Sequence, residues 1–253
     1  MNFLEEIKKK VEAKAENSSG EIKNSKQPLS LIEYIRRKNG LIGEFKRATP
    51  TRKFYPRLSP SEMAHLYERY GFSAVSVVVE EEYFLTTKQD FADVRKAVRI
   101  PVLKKGFFLH RAQIIEAYNE GADSILLIAS FVGRQRLMEL LEECQRLHLE
   151  PIVEVHSLDD LEMIAVLPVQ IVGINNRDLK SLRVDLFQGE LILKEAKSRS
   201  IGQMHIIESG LKTVEELKKF RQLGADGFLI GGAFMEANNP EAKIKELSEE
   251  GIL

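Results

Sequence analysis

The chain has 253 residues, with 37 Lys plus Arg against 38 Asp plus Glu and a single cysteine. A formal charge of -1 gives no bulk drive toward nucleic acid or an anionic membrane. Hydrophobic residues at 43% and charged residues at 30% make the balance of a folded chain, not a disordered one. Cys144 stands alone, which excludes an intrachain disulfide framework and a cysteine zinc cluster. Apolar runs stay well short of the roughly eighteen residues a membrane span needs. Met1–Glu16 alternates Lys and Glu where a signal peptide needs an apolar stretch. The expectation is a soluble, cytoplasmic protein of a reducing compartment.

In chain order, Phe3–Ala15 has helical period but more charge than its apolar positions can anchor, so it is expected to attach loosely. Glu16–Gln27, rich in Asn, Ser, Gly and Lys, reads as a mobile linker. Leu29–Lys38 reads as a second helix. Short apolar runs then recur at Leu41–Phe45, Ala74–Val79, Val102–Leu103 with Lys104, Ser124–Ile128, Pro151–Val155, Ile171–Ile174, His205–Ile207 and Gly227–Ile230. Each is too short for a helix, and most lack alternation, the pattern of strands buried on both faces of a parallel sheet.

The segments between them carry helix punctuation. Ser59-Pro60-Ser61-Glu62 and Thr213-Val214-Glu215-Glu216 are helix starts, the second a capping box, and Ser157-Leu158-Asp159-Asp160 places carboxylates in a first turn. Gly71, Gly121 and Gly224 stop helices just before strands, two of them within a repeated Gly-Ala-Asp at 121–123 and 224–226. Eight strand–helix units in about 250 residues predict an α/β fold, a (β/α)8 TIM barrel over 41–253 with an N-terminal helical extension over 1–40. The rival, an open doubly wound sheet, lacks its Gly-x-Gly-x-x-Gly fingerprint after any strand.

Barrel chemistry sits at the C-terminal ends of the strands. The first ends Glu44-Phe45-Lys46, with Glu44 and Lys46 on one side. The third ends Lys104-Lys105, the fifth carries Glu154 and then His156, the sixth runs into Asn175-Asn176-Arg177-Asp178, and the seventh ends Glu208-Ser209-Gly210. One such ion could close a private salt bridge at the rim. Five of them, Glu44, Lys46, Lys105, Glu154 and Glu208, point to convergence around a pocket mouth, because burying any one alone costs several kcal/mol. Ser209-Gly210 and Gly231-Gly232 offer uncrowded backbone N–H groups where barrels commonly hold phosphate.

These residues also carry a resemblance. The segment 43–51, Gly-Glu-Phe-Lys-Arg-Ala-Thr-Pro-Thr, is similar to Ala-Glu-Ile-Lys-Arg-Ala-Ser-Pro-Ser of the indole-3-glycerol phosphate synthase family. Pro101-Val102-Leu103-Lys104-Lys105-Gly106-Phe107 is similar to that family's Pro-Val-Leu-Arg-Lys-Asp-Phe. Glu154-Val155-His156, the run 173–179 and Glu208-Ser209-Gly210 match almost letter for letter. The resemblance, from Leu41 to about Pro240, implies a tryptophan-pathway lyase without cofactor or metal. It would act on one small phosphorylated substrate, 1-(2-carboxyphenylamino)-1-deoxyribulose 5-phosphate, as a monomer or weak homo-oligomer. It implies Lys105 as general acid, Glu154 and Lys46 in ring closure and dehydration, Glu44 on the departing hydroxyl, and Asn175 and Glu208 as orienting groups. Arg177 would support the network and Lys46 would also meet the anthranilate carboxylate. Thr49, Ser209, Gly210, Gly231 and Gly232 would hold phosphate, and Phe84 and Phe107 would wall the aromatic ring. A lysine acid working near neutral pH calls for a lowered pKa; a second lysine and burial push that way and the carboxylates oppose it.

The chain departs from the family pattern at Gly106, where Asp is usual, at Gly232-Ala233, at Val78-Val79, and at Thr49 and Thr51 in place of serines. A paralogue with weakened or shifted activity and a non-catalytic phosphosugar-binding barrel therefore stay open. Phosphoribosylanthranilate isomerase, another phosphosugar barrel, would want a cysteine–aspartate pair, and Cys144 falls on a helix pattern far from any strand end. His156 is expected to face away from Glu154 as a packed or rim histidine. Glu80-Glu81-Glu82 reads as a solvated loop and Lys8-Lys9-Lys10 as a wet helix face.

Overall fold

The computed structural model describes residues 3–15, 20–24, 26–54, 56–179 and 181–249. The Val/Ile/Leu runs form eight parallel strands: β1 (Leu41–Phe45), β2 (Ala74–Val78), β3 (Val102–Lys105), β4 (Ser124–Ile128), β5 (Ile152–Val155), β6 (Ile171–Asn175), β7 (Met204–Glu208) and β8 (Gly227–Ile230). They close in the order β1-β8-β7-β6-β5-β4-β3-β2 into a (β/α)8 barrel. Nearly every strand residue is buried because one face packs inward and the other meets the surrounding helices.

The helices follow from the same spacing logic. In α3 (Pro60–Arg69) the buried residues Pro60, Met63, Ala64 and Tyr67 fall at i, i+3, i+4 and i+7, one stripe against the sheet. Ser59 and Glu62 close a capping box there, as Thr213 and Glu216 do before the helix Val214–Gln222. A cap of this kind contributes roughly 1 kcal/mol. The Tyr67 ring lies directly on β1: a Cβ at Gly43 would overlap it, so this strand position accepts only glycine. Tyr67 also stacks on Phe72 at 5.0 Å and donates from its hydroxyl to Glu44 O at 3.1 Å, joining the helix layer to β1.

The repeated Gly-Ala-Asp performs one task twice. Asp123 and Asp226 each enter a strand, and each accepts the backbone N–H that opens the preceding strand, Val102 and His205, both at 2.9 Å. Their own N–H groups return bonds to the carbonyls of Val102 at 3.0 Å and His205 at 2.9 Å. Asp123 further takes Leu29 N–H at 2.9 Å and pairs with Arg95.

The extension is better anchored than its charge suggests. On α1 (Phe3–Ala15) the side chain of Ile7 is buried, Lys8 Nζ donates to Phe131 O at 3.0 Å, and Lys10 pairs with Glu82. Charged residues thus supply specific contacts where apolar ones are too few. The linker expectation is corrected in part: Lys23 and Asn24 donate backbone N–H groups to Asn119 Oδ1 at 2.7 and 3.0 Å, which ties residues 20–24 to the barrel. Residues 16–19 and 25 of that segment lie outside the described residues. The second helix, α2 (Leu31–Arg37), is two residues shorter at its start than expected because Ser30 caps it. One element has no precursor in the sequence reading. Ala48–Thr49 and Arg52–Lys53 pair as a short antiparallel hairpin after β1, too brief to show any period.

Candidate active site

Parallel register lines up the strand ends. Lys105 stands opposite Val78, Glu154 opposite Gly173, and Asn175 opposite Glu208, so the polar side chains reach the barrel axis at neighbouring heights. Lys105 Nζ lies 2.7 Å from Glu208 Oε2, 3.4 Å from Glu44 Oε2 and 3.7 Å from Glu154 Oε2. Lys46 pairs with the other oxygen of Glu44. Asn175 donates to Glu154 Oε2 at 3.0 Å and accepts Arg177 N–H at 3.0 Å, which fixes its amide orientation. The expected convergence of Glu44, Lys46, Lys105, Glu154 and Glu208 is what the fold produces.

Burial makes this cluster electrostatically demanding. The three carboxylates are at most 2% exposed. An ion pair at about 4 Å is worth roughly 4 kcal/mol at an effective dielectric near 20, comparable to the cost of desolvating one ion. Three carboxylates around one ammonium cannot all ionise freely. Burial opposes the charge of Lys105, yet Glu208, Glu44 and Glu154 outweigh it and hold the amine well above the ordinary lysine value. A lowered lysine pKa is therefore not what the empty site provides. Burial also opposes ionisation of Glu44, but Lys46 and Lys105 keep it below its ordinary value. Glu208 goes the other way: burial raises it to about 8, Lys105 opposes, and Glu154 adds to the rise. Of the three carboxyls, Glu208 is thus the one whose surroundings most favour the protonated form.

Above the cluster opens a cleft with both polar and apolar walls. Its polar lining is Glu44, Lys46, Lys105, Glu154, Asn175, Arg177 and Ser209, with Thr49, Pro50 and Thr51 of the hairpin across the mouth. Its apolar wall comprises Val78, Phe84, Phe107, Leu126, Ile128, Leu179 and Leu182. Phe84 and Phe107 pack on each other with ring centres 6.5 Å apart and planes tilted by 45°, an aromatic wall against which a substrate ring can lie. Arg177 faces the cleft while its Nη1 donates to Leu182 O at 2.7 Å.

Of the glycines expected at a phosphate, Gly210, Gly231 and Gly232 do not line this cleft. Gly231 backs onto Glu44, where a Cβ would stand 2.7 Å from Oε1, and Gly232 faces open space at the start of the short helix Gly232–Met235. Ser209 does line the cleft, with a φ of 65° that a non-glycine residue rarely adopts. Asn176 Nδ2 holds it there by donating to Ser209 O at 2.8 Å.

One expectation is reversed. His156 does not face away from Glu154: its Nε2 lies 3.1 Å from Glu154 Oε1 and its Nδ1 3.7 Å from Asp160 Oδ2. Residues two apart on a strand share a face, the rule that placed Glu44 with Lys46. The hairpin residue Thr51 and the leucines 179 and 182 also line the cleft, and only the tertiary fold brings them there. Cys144 is buried on the outer helix Arg134–Arg146, and burial, with Glu143 adding, pushes its thiol up; it cannot serve as a catalytic acid. Among the described residues, no group of three or more His, Cys, Asp or Glu is arranged to hold a metal ion, and no helix is long and apolar enough to cross a membrane.

Comparison with known proteins agrees with this geometry. The sequence profile of the family described as Indole-3-glycerol phosphate synthase matches residues 2–247. The indole-3-glycerol phosphate synthase of Aquifex aeolicus is 38% identical over 208 residues, 82% of this chain and 80% of the relative. That of Halalkalibacterium halodurans is 39% identical over 224 residues, 87% and 86% of the two chains. That of Syntrophobacter fumaroxidans is 33% identical over 255 residues, 97% and 95%. A closed (β/α)8 barrel, acid–base residues gathered at its strand ends and a match running almost the full chain lead to one assignment: this protein belongs to the indole-3-glycerol phosphate synthase family.

Proposed function

We propose that the protein converts 1-(2-carboxyphenylamino)-1-deoxyribulose 5-phosphate to indole-3-glycerol phosphate, carbon dioxide and water, in the cytoplasm and as a monomer or weak homo-oligomer. The observation that carries this reading is the placement of Lys105 among three buried carboxylates, below a cleft with an aromatic wall. The substrate supplies a benzoate ring, a ketone and a phosphate. The wall formed by Phe84 and Phe107 packs against the ring, and Lys46, next to Glu44 at the cleft wall, takes its carboxylate. Thr49 and Ser209, which line the cleft, take the phosphate, with Arg177 adding positive charge.

Lys105 enters as an ammonium and donates a proton toward the ketone oxygen while the ring carbon attacks. The carboxylate then leaves as carbon dioxide, and its bonding pair returns to the ring. That cationic ring is itself the electron sink, so the step needs no cofactor. Glu154 removes a proton for dehydration, with Lys46 assisting and Glu44 holding the departing hydroxyl. Glu208, raised to about 8, is placed to return a proton to Lys105 at 2.7 Å. Indole fluorescence after addition of the carboxyphenylamino-deoxyribulose phosphate tests the assignment: it grows with enzyme concentration, and folded protein that forms no indole product overturns it.

A further inference from the structure

One ionisable group that touches the cluster has no place in that reaction. His156 is buried beside Glu154, and neither of its ring nitrogens has a well-aligned hydrogen-bond partner among the described residues. We propose that His156 is a positioning residue which, held between Glu154 and Asp160, keeps Glu154 ionised and so leaves the proton of the facing carboxylate pair on Glu208. This inference rests on the reaction proposed above.

The pairing pattern of the cluster supports it. Lys46 belongs to Glu44, and the nearest carboxylate to Lys105 is Glu208 at 2.7 Å. Glu154 is left with Lys105 at 3.7 Å and a neutral amide, Asn175, at 3.0 Å, both on its Oε2. The other oxygen, Oε1, has only His156 within ion-pair distance among the described residues, at 3.1 Å. Within the cluster, His156 is therefore the cation closest to Glu154.

Its own place is fixed from behind. Asp160, in the first turn of the helix Leu158–Ile164, accepts His156 N–H at 2.9 Å and lies 3.7 Å from Nδ1. Ser157 Oγ accepts Asp160 N–H at 3.1 Å and sets that turn. The neighbouring short helix Ala129–Val132 presents no ionisable side chain. The charged groups around the imidazole are thus Glu154 and Asp160, with Lys105 and Glu208 one contact further in. Burial lowers the affinity of His156 for a proton, but the two carboxylates more than offset it and raise it to about 9. Burial likewise opposes ionisation of Glu154, and His156 followed by Lys105 holds its carboxyl below the ordinary value.

A structural histidine and a charge-setting one respond differently to pH. In His156→Gln the acid limb of kcat should move up by about one pH unit, so the loss relative to wild type grows toward tenfold as pH falls through the limb and disappears at pH 8. KM should change by less than about threefold, since His156 does not line the cleft. His156→Lys, which restores a cation, should bring the limb back. A loss of kcat that is equal at all pH values, or one that lysine does not rescue, overturns the proposal. Proton NMR of the free enzyme, with the imidazole resonance assigned through His156→Gln, provides a readout independent of turnover. The resonance should titrate near pH 9, and lower in Glu154→Gln; titration near 6.5 in both overturns the proposal. Wild-type enzyme that shows the expected titration but no indole product would sink the reaction and leave this charge arrangement standing.

Discussion

The two ends of the barrel handle buried charge in opposite ways. At the N-terminal end Asp123 pairs with Arg95 and accepts backbone N–H groups from Leu29 and Val102, both at 2.9 Å, so its charge is met by donors of fixed position. Arg221 there donates to the carbonyls of Asp226 at 2.7 Å and Asn39 at 3.0 Å. At the C-terminal end Glu44 Oε2 and Glu208 Oε1 are buried without a hydrogen-bond partner among the described residues. The same residue types stabilise at one end and store unspent affinity at the other. Complete pairing gives a scaffold; incomplete pairing gives groups that can exchange protons and receive a ligand.

Substitutions at each end break the contrast in distinct ways. The largest effect is expected for Lys105→Ala, which removes the cation on which three carboxylates converge. Its kcat should fall by about 10³-fold or more, roughly 4 kcal/mol of barrel chemistry lost, while phosphate-dependent binding persists. Near-normal turnover measured by indole fluorescence would remove Lys105 from its role. Asp123→Ala should do the reverse. It leaves Arg95 and two backbone donors without their acceptor and should cost about 3–5 kcal/mol in denaturant unfolding. Turnover per folded molecule should stay unchanged, and a fall in kcat at full folding would contradict a purely structural N-terminal end.

Glu208→Gln sharpens the comparison with a smaller, pH-dependent effect. The folded-state value of Glu208 is raised to about 8, so the folded protein binds this proton more tightly than the unfolded chain does. The stability this group contributes is complete below the unfolded carboxyl value and is lost as pH rises through about 8. Glutamine keeps the neutral shape and escapes the penalty. At pH 9 the variant should unfold about 2–4 °C above wild type, corresponding to roughly 1 kcal/mol in a chain of this size, and the gap should close by pH 5.5. A difference independent of pH would show that Glu208 does not carry the proton, even though the same variant loses activity.

Much of this contrast was legible in the residues. Eight apolar runs placed eight strands, and charged residues on the runs Glu44–Lys46, Lys104–Lys105 and Glu154 stood out because such positions are otherwise apolar. Which lysine of 104 and 105 faces inward follows from alternation and closure together; Lys104 instead pairs with Glu120 at 2.5 Å on the outer face. The direction of the Lys105 shift was not legible, since it depends on three distances that only the closed barrel sets. The hairpin at 48–53 carries too few residues for a period, and its place over the cleft comes from contacts distant in sequence, such as Arg52 with Glu236 at 2.8 Å. His156 was within reach of the same alternation rule, and its position beyond the last ladder residue hid it.

The twin Gly-Ala-Asp locks have a consequence for how such a chain could be rearranged. One leads into β4 and the other into β8, half a revolution apart around the closed sheet. The lower rim thus reads as two copies of one four-unit module, each ended by the same clasp onto the strand before it. A barrel reassembled from one half in duplicate would meet a matching clasp at both seams, which makes the half-barrel a natural unit for recombination.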